Sequence, residues 1–79
     1  MKLSIDPEAN ALYVQIIEGE FDEMRRAAPG INYDVSSDGQ VLGIEVLNAR
    51  SLFGDIEGLT LDEVLSRVLG IQEAPGVAA

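Results

Sequence analysis

The chain has 79 residues, and its 14 acidic and five basic side chains give a formal net charge of −9. A chain of this length forms one small domain, and its 47% hydrophobic content is too high for a disordered protein. The absence of cysteine and histidine excludes disulfides, thiolate nucleophiles and the usual zinc sites. Because phosphates repel so acidic a chain, direct binding to nucleic acid is not expected.

Three strands are predicted in the first part of the chain. Residues 2–5 alternate weakly and predict a short edge strand, whereas residues 11–17 predict a strand that is apolar on both faces. Residues 18–23 are mostly acidic and predict a solvated loop, and residues 24–28 predict the third strand. A strand with two apolar faces is usually covered on both sides, so something is expected to pack behind the sheet.

Residues 31–47 predict a β-hairpin whose turn is Asp38-Gly39, a dipeptide typical of two-residue type I′ turns. With that turn, Val35 faces Leu42. Because strand side chains alternate between the two faces, the apolar residues of the hairpin then share one face. These residues are Ile31, Tyr33, Val35, Leu42, Ile44 and Val46. The other face receives Asn32, Asp34, Val41, Gly43 and Glu45.

The end of the chain predicts one helix. Residues 48–54 lose the alternation and predict a loop, after which Thr60 and Glu63 form a capping box. An apolar stripe at helical spacing follows. It consists of Leu61, Val64, Leu65, Val68 and Leu69. Gly70 is typical of the residue just after a helix, so the helix is predicted over about residues 60–69 and a flexible tail over residues 71–79.

The predicted fold is therefore α+β: a small antiparallel sheet of three to five strands and one C-terminal helix, in a single domain of residues 1–70. One helix covers only one face of such a sheet, and apolar residues on the opposite face would be exposed in a monomer. We therefore expect a homodimer, or a standing partner protein on that face. The candidate interaction face comprises Tyr13, Asn32, Asp34, Val41, Gly43, Glu45 and Leu47.

The hairpin also has the residue spacing of an EF-hand calcium loop, with Asp34 first, Gly39 sixth and Glu45 twelfth. An EF-hand loop lies between helices, whereas both flanks here alternate as strands do. In a hairpin, moreover, Asp38 lies at the tip and far from the other two carboxylates. The sequence therefore predicts no calcium loop, and no metal site or cofactor is assigned.

Asp34 and Glu45 remain a diagonal pair of carboxylates on one face of the predicted sheet. Three interpretations stay open. The pair can be structural, with Glu45 bound to Arg25 or Arg50; it can bind a divalent metal or small ligand; or it can act as general acid and base. The last needs a cleft that so short a chain hardly offers, and no serine has a histidine to activate it, so the protein is not expected to be an enzyme. Gly43 predicts a bulge or close approach by a bulky neighbour such as Tyr13.

Two segments carry recognisable motifs: D-P-E-A-N-A-L-Y-V at residues 6–14, and D-V-S-S-D-G-Q-V-L-G-I-E-V-L-N-A at residues 34–49. Together they resemble a family of small prokaryotic proteins, domain of unknown function 2283, over about residues 3–52. Asn10 differs from the aspartate usual at that position. The resemblance implies a compact β-rich domain with recurring Asp34, Gly39, Gly43 and Glu45, and it implies no activity. Members are similar in context to antitoxin-like partners of small basic toxins.

The sequence thus predicts a small acidic protein–protein interaction module, with antitoxin-like neutralisation of a basic partner as one form of that role. The alternative is binding of a divalent metal or small ligand through carboxylates on one sheet face. The sequence has no apolar leader segment and no run of about 18 apolar residues, so neither a signal peptide nor a membrane span is expected. The expected location is the cytoplasm.

Overall fold

The computed structural model describes the backbone of residues 1–77 and the side chains of residues 1–70. The predicted α+β fold is confirmed. The strands are β1 (Lys2–Asp6), β2 (Ala11–Gln15), β3 (Phe21–Ala28), β4 (Ile31–Ser36) and β5 (Val41–Leu47), and the helices are α1 (Ala49–Phe53) and α2 (Leu61–Val77). The strands form an antiparallel sheet in the order β1-β2-β5-β4-β3, so β5 is central and β1 and β3 are the edges.

The hairpin of β4 and β5 has the predicted register over most of its length, because Tyr33 pairs with Ile44 and Asp34 pairs with Gly43. The turn itself was wrongly predicted. Ser36 N–H donates to the Gln40 carbonyl at 2.9 Å, so residues 37–39 form a three-residue loop. This longer loop shifts the pairing by one residue, and a bulge at Leu42 of β5, opposite β4 residues 34 and 35, shifts it back. The two irregularities compensate, so the predicted faces hold for β4 and for β5 from residue 43 onward, whereas Val41 pairs with Val35.

Both helices pack on one face of the sheet, which we call the helix side. The core between the helices and the sheet is formed by aliphatic residues that are almost fully buried. These residues are Leu12, Val14, Ile31, Ile44, Val46, Ala49, Ile56, Val64 and Val68. The four strand residues of β2 and β5 in this list alternate with residues that point to the opposite face, which we call the open face.

Helix α1 lies where the sequence predicted only a loop. Asn10, in the turn between β1 and β2, caps its start: the Asn10 side-chain oxygen accepts a hydrogen bond from Arg50 N–H at 2.9 Å, and its carbonyl accepts one from Ala49 N–H. Ala49 is fully buried, so the short helix closes one end of the core. Because the capping residue lies about 40 positions away in the sequence, no local sequence pattern predicts this helix.

Helix α2 begins as predicted and extends further. Thr60 Oγ1 accepts a hydrogen bond from Glu63 N–H at 3.2 Å, and the Glu63 carboxylate accepts one from Thr60 N–H at 2.9 Å, which completes the capping box. The predicted end at Gly70 is wrong, because Gly70 does not adopt the positive φ of a helix terminus and the helix runs to Val77. Most of the predicted tail, residues 71–79, is thus assigned to α2, and residues 78 and 79 lie outside the described residues.

Strand β3 begins earlier than predicted, at Phe21, so the second half of the predicted acidic loop belongs to the sheet. Six of its eight residues are exposed, because β3 is an edge strand and has a neighbour on one side only. Such a strand lacks the alternating burial that marks a strand in the middle of a sheet. The acidic composition therefore outweighed the strand signal in the sequence.

Candidate functional site

The open face is the side of the sheet opposite the helices, and all five strands contribute side chains to it. Its membership follows from the register, because directly paired residues in antiparallel strands point to the same face. Tyr13 pairs with Glu45, Gln15 and Asp34 with Gly43, and Met24 with Asp34. The open face therefore includes Lys2, Ser4, Asp6, Ala11, Tyr13, Gln15, Met24, Arg26, Asn32, Asp34, Gly43, Glu45 and Leu47.

Tyr13 lies across the central strand and links β2 to β4. Its hydroxyl donates a hydrogen bond to Asp34 Oδ2 at 3.0 Å, although β5 separates their two strands. The residue of β5 beneath the phenol is Gly43. A Cβ atom there would lie 2.0 Å from the Tyr13 hydroxyl oxygen and 2.9 Å from the Val14 carbonyl oxygen. Gly43 is thus required because only a residue without a side chain lets the tyrosine reach its carboxylate.

Asn32 holds the second carboxylate. It pairs directly with Glu45 across β4 and β5, and its side-chain amide donates a hydrogen bond to Glu45 Oε1 at 3.2 Å. Asn32 is only 9% exposed, so its amide group is fixed by its surroundings. Both carboxylates at the centre of the open face are therefore oriented by neutral donors.

Among the described side chains, no cation forms an ion pair with Asp34 or Glu45. The predicted pairing of Glu45 with Arg25 or Arg50 is wrong: Arg25 forms an ion pair with Glu23 at 3.3 Å, and Arg50 donates to the Pro7 carbonyl at 3.1 Å. Arg26 shares the open face, since it pairs with Asn32, but it forms no ion pair with either carboxylate, whose hydrogen-bond donors are both neutral.

The carboxylates act on the tyrosine between them. Burial raises the pKa of Tyr13 above its ordinary value of 10.0, and the hydrogen bond to Asp34 and the charges of Asp34 and Glu45 raise it further. Tyr13 therefore stays protonated over the physiological range and serves as a hydrogen-bond donor. The pKa of Tyr33, on the helix side, is raised by burial alone.

Exposed apolar side chains surround this polar centre. Phe21 and Met24 on β3 are 60% and 54% exposed, and Leu47 at the end of β5 is 45% exposed. Beside the centre, the open face has a depression of about 170 Å³ whose lining includes Tyr13 and Glu45. The face thus combines two features: apolar area that a partner could bury, and carboxylate hydrogen-bond acceptors held in fixed positions.

Most of the predicted interaction face is brought together by the fold. Five of its residues form the polar centre, and Leu47 lies at the end of β5 on the same face. The placement of Val41 on this face is wrong, because the bulge pairs Val41 with Val35, a residue of the helix side. Sequence reasoning missed Phe21, which was assigned to a loop. It also missed Met24, which was assigned to a strand whose faces were not predicted. A signal was present, since the apolar Phe21 interrupts an acidic segment. The five central residues are Tyr13, Asn32, Asp34, Gly43 and Glu45.

The residues with EF-hand spacing do not form a calcium loop in the fold. Strands flank the turn, and Asp38 lies in the hairpin loop, where its carboxylate accepts a hydrogen bond from the Ser36 hydroxyl. That hydrogen bond lowers the pKa of Asp38 below its ordinary value of 3.8. Among the described residues, no three acidic side chains come together as metal ligands.

Residues 2–50 match the family described as a protein of unknown function, DUF2283. The chain belongs to this family. The matched segment contains all five strands, and hence the complete polar centre of the open face, and it ends before α2. No curated protein and no solved structure matches the chain. Within the described part, neither helix has the length and apolar character needed to cross a membrane.

Proposed function

We propose that this protein is a protein–protein interaction module whose open face binds a basic partner protein. The observation that carries the proposal is the carboxylate pair, Asp34 and Glu45, fixed at the centre of that face by neutral donors and, among the described side chains, without an ion pair. Each carboxylate is oriented by a neutral donor and keeps lone pairs for a further hydrogen bond. An arginine or lysine of the partner supplies the missing positive charge.

The energetics of the pair support a role in binding. Two neighbouring negative charges repel each other, and a part-buried carboxylate is less well solvated than one in water. A bound guanidinium relieves both costs, because it forms charge-assisted hydrogen bonds with carboxylates.

The apolar surroundings and the overall charge support the same kind of partner. Phe21, Met24 and Leu47 offer apolar surface whose burial contributes to binding free energy. The net charge of −9 attracts a basic protein over longer distances and accelerates its association. Neutralisation of a basic toxin, the antitoxin-like role that the family resemblance suggests, is one form that such binding takes.

Binding of a divalent metal or small ligand is the second candidate, favoured by the presence of two carboxylates on one face. The described residues offer a metal two carboxylates here and no third acidic ligand, so water would complete its coordination. Calorimetric titration with calcium, magnesium and manganese tests this candidate. Heat that disappears in the Asp34→Asn variant supports it, and the absence of heat with all three metals removes it.

The test of the proposed function uses a fluorescein-labelled peptide of alternating arginine and leucine, titrated with the full chain and followed by fluorescence anisotropy. We expect binding that weakens about tenfold or more in the double variant Asp34→Asn, Glu45→Gln, because each change removes a charge without changing shape. A peptide with glutamate in place of arginine should not bind.

The matched control is the double variant Glu8→Gln, Glu57→Gln. It removes the same total charge from two exposed carboxylates that lie in turns outside the open face. We expect this control to bind the arginine peptide nearly as well as the unmodified chain does. Equal weakening in the two double variants would mean that net charge alone attracts the peptide, and the proposal would be wrong.

A further inference from the structure

Strand β3 carries a charge pattern that is complementary to itself. Residues 22–26 read Asp-Glu-Met-Arg-Arg, with two negative charges, one neutral residue and two positive charges in order. All five are exposed, and β3 is an edge of the sheet. When such a segment meets its own copy in the antiparallel direction, each end faces the opposite charge.

The hydrogen-bond alternation in the sheet decides which backbone groups face the edge. Leu47 N–H donates to the Gly30 carbonyl at 2.7 Å, so these residues form a hydrogen-bonded pair of β4 and β5. Along an antiparallel ladder such pairs recur at every second residue. Asn32 and Asp34 therefore direct their backbone groups toward β5, and Tyr33 between them directs its own toward β3.

The same alternation continues into β3. Tyr33 pairs with Arg25, so Arg25 directs its N–H and C=O toward β4. Its neighbours Met24 and Arg26 consequently direct theirs outward, away from the sheet. Within the regular part of β3, these outward groups are available to another strand.

Pairing with a second copy must match outward residues with outward residues, and this restricts the register. Met24 opposite Met24 places Glu23 opposite Arg25, and Asp22 opposite Arg26, so each charge meets its opposite. A shift of two residues in one direction places Arg25 opposite Arg25, and in the other direction Glu23 opposite Glu23. Both shifted registers bring like charges together on the axis, which is unfavourable.

We propose that two copies of the chain pair through β3 in antiparallel register, with a two-fold axis at Met24. The backbone groups of the two Met24 residues exchange hydrogen bonds, and their exposed side chains come into contact. On the helix side, the Glu23–Arg25 ion pair of each copy joins that of the other in a ring of four alternating charges. The contact is isologous, so it closes at two copies.

The charges on β3 differ from those that protect edge strands against association. A protective edge carries charges that repel a second copy of itself, whereas this one attracts its copy. Register shifts at both ends of the regular segment, next to Glu23 and after Arg26, also limit the length of edge that pairs. The edge is therefore suited to one short, specific contact and not to open-ended stacking.

This inference goes beyond the proposed function, because the dimer forms without any partner. Directly paired antiparallel residues share a face, so the two copies form one continuous sheet with both open faces on the same side. The two carboxylate pairs then lie on a single surface, which lets one partner contact both. Asp34 and Glu45 take no part in the dimer, so the variant that loses the arginine peptide should keep the dimer.

The test is sedimentation velocity on the full chain and on two charge-reversed variants. Arg25→Glu, Arg26→Glu makes β3 wholly acidic, and Asp22→Arg, Glu23→Arg makes it wholly basic. We expect the unmodified chain to sediment as a dimer, each variant alone as a monomer, and their equimolar mixture as a dimer again. Rescue on mixing requires that both variants are folded, so it separates loss of the interface from loss of the fold.

Three results would overturn the inference. The unmodified chain could sediment as a monomer at every concentration, both variants could remain dimers, or the mixture of folded variants could stay monomeric. Hydrogen exchange gives a second readout of the register. In the dimer the backbone amides at positions 24 and 26 should be protected and should lose protection in either variant, whereas the amide at position 25 should stay protected in both.

Discussion

The two faces of the sheet are built from the same strands, but different interactions hold their side chains in place. On the helix side, β2 and β5 present only aliphatic side chains, which the helices bury. On the open face, the same strands present Tyr13, Gly43 and Glu45, and each makes a contact that depends on a particular atom. The helix side stabilises the fold through area and packing. The open face holds polar groups in position through specific hydrogen bonds.

The largest expected effect is on the free energy of unfolding, when the same leucine-to-alanine change is made once on each face. Leu12→Ala, on the helix side, should lower the free energy of unfolding by about 2–5 kcal/mol, because it leaves a cavity in a packed core. Leu47→Ala, on the open face, should lower it by about 1 kcal/mol or less, because Leu47 is already 45% exposed. Urea denaturation measures both values. Similar losses at the two positions would contradict the division of roles.

The next effect tests whether the open face depends on shape. Gly43→Ala should lower the free energy of unfolding by about 1–3 kcal/mol, because its Cβ would clash with the Tyr13 phenol and the Val14 carbonyl. In a Tyr13→Ala background the same change should cost less, since only the carbonyl contact remains. A double-mutant cycle by urea denaturation measures the coupling. Costs that simply add would mean that the phenol does not lie over Gly43.

A smaller effect compares the two tyrosines, one on each face. In a Tyr33→Phe background, ultraviolet titration should find the pKa of Tyr13 above 10.0, and Asp34→Asn should lower it while burial keeps part of the rise. The raised pKa contributes stability in full below pH 10.0, and this contribution is lost as pH rises through the pKa of Tyr13 in the folded protein.

Tyr33 provides the matched control for that titration. In a Tyr13→Phe background only Tyr33 titrates, and its pKa is raised by burial without a contribution from a carboxylate. Asp34→Asn should therefore leave the titration of Tyr33 unchanged. Equal responses of the two tyrosines would show that Asp34 acts through general charge and not through its hydrogen bond to Tyr13.

The smallest expected effect lies at the hairpin tip, outside both faces. The hydrogen bond from Ser36 lowers the pKa of Asp38 below 3.8, so its contribution to stability is present above that pH and is lost as pH falls through the pKa of folded Asp38. Ser36→Ala should raise this pKa toward 3.8, as followed by NMR titration of the side-chain carboxyl carbon. An unchanged pKa in the variant would rule out this hydrogen bond.

The sequence predicted the helix side better than the open face, for a physical reason. Burial on the helix side depends on alternation and helical spacing, which a local pattern records in Leu12, Val14 and the α2 stripe. The compensating loop and bulge of the hairpin were not visible, because the Asp-Gly dipeptide is compatible with more than one turn. Because the two shifts cancel, the error changed only the pairing next to the loop, where Val35 faces Val41 and not Leu42.

The contacts of the open face depend on strand order, which the sequence did not supply. Gly43 suggested close approach by Tyr13, and the fold confirms it. That the phenol reaches Asp34 follows only when β5 lies between β2 and β4. The same applies to Asn10, whose capping of α1 joins residues distant in the chain.

The most direct test of a binding role for the open face is a methyl NMR spectrum recorded during titration with the arginine–leucine peptide. Methyl groups report each face separately, unlike backbone amides, which lie between the faces. We predict that the methyl signals of Met24 and Leu47 shift most, while that of exposed Leu69 on α2 stays unchanged. Larger shifts at Leu69 than at the two open-face residues would contradict the account.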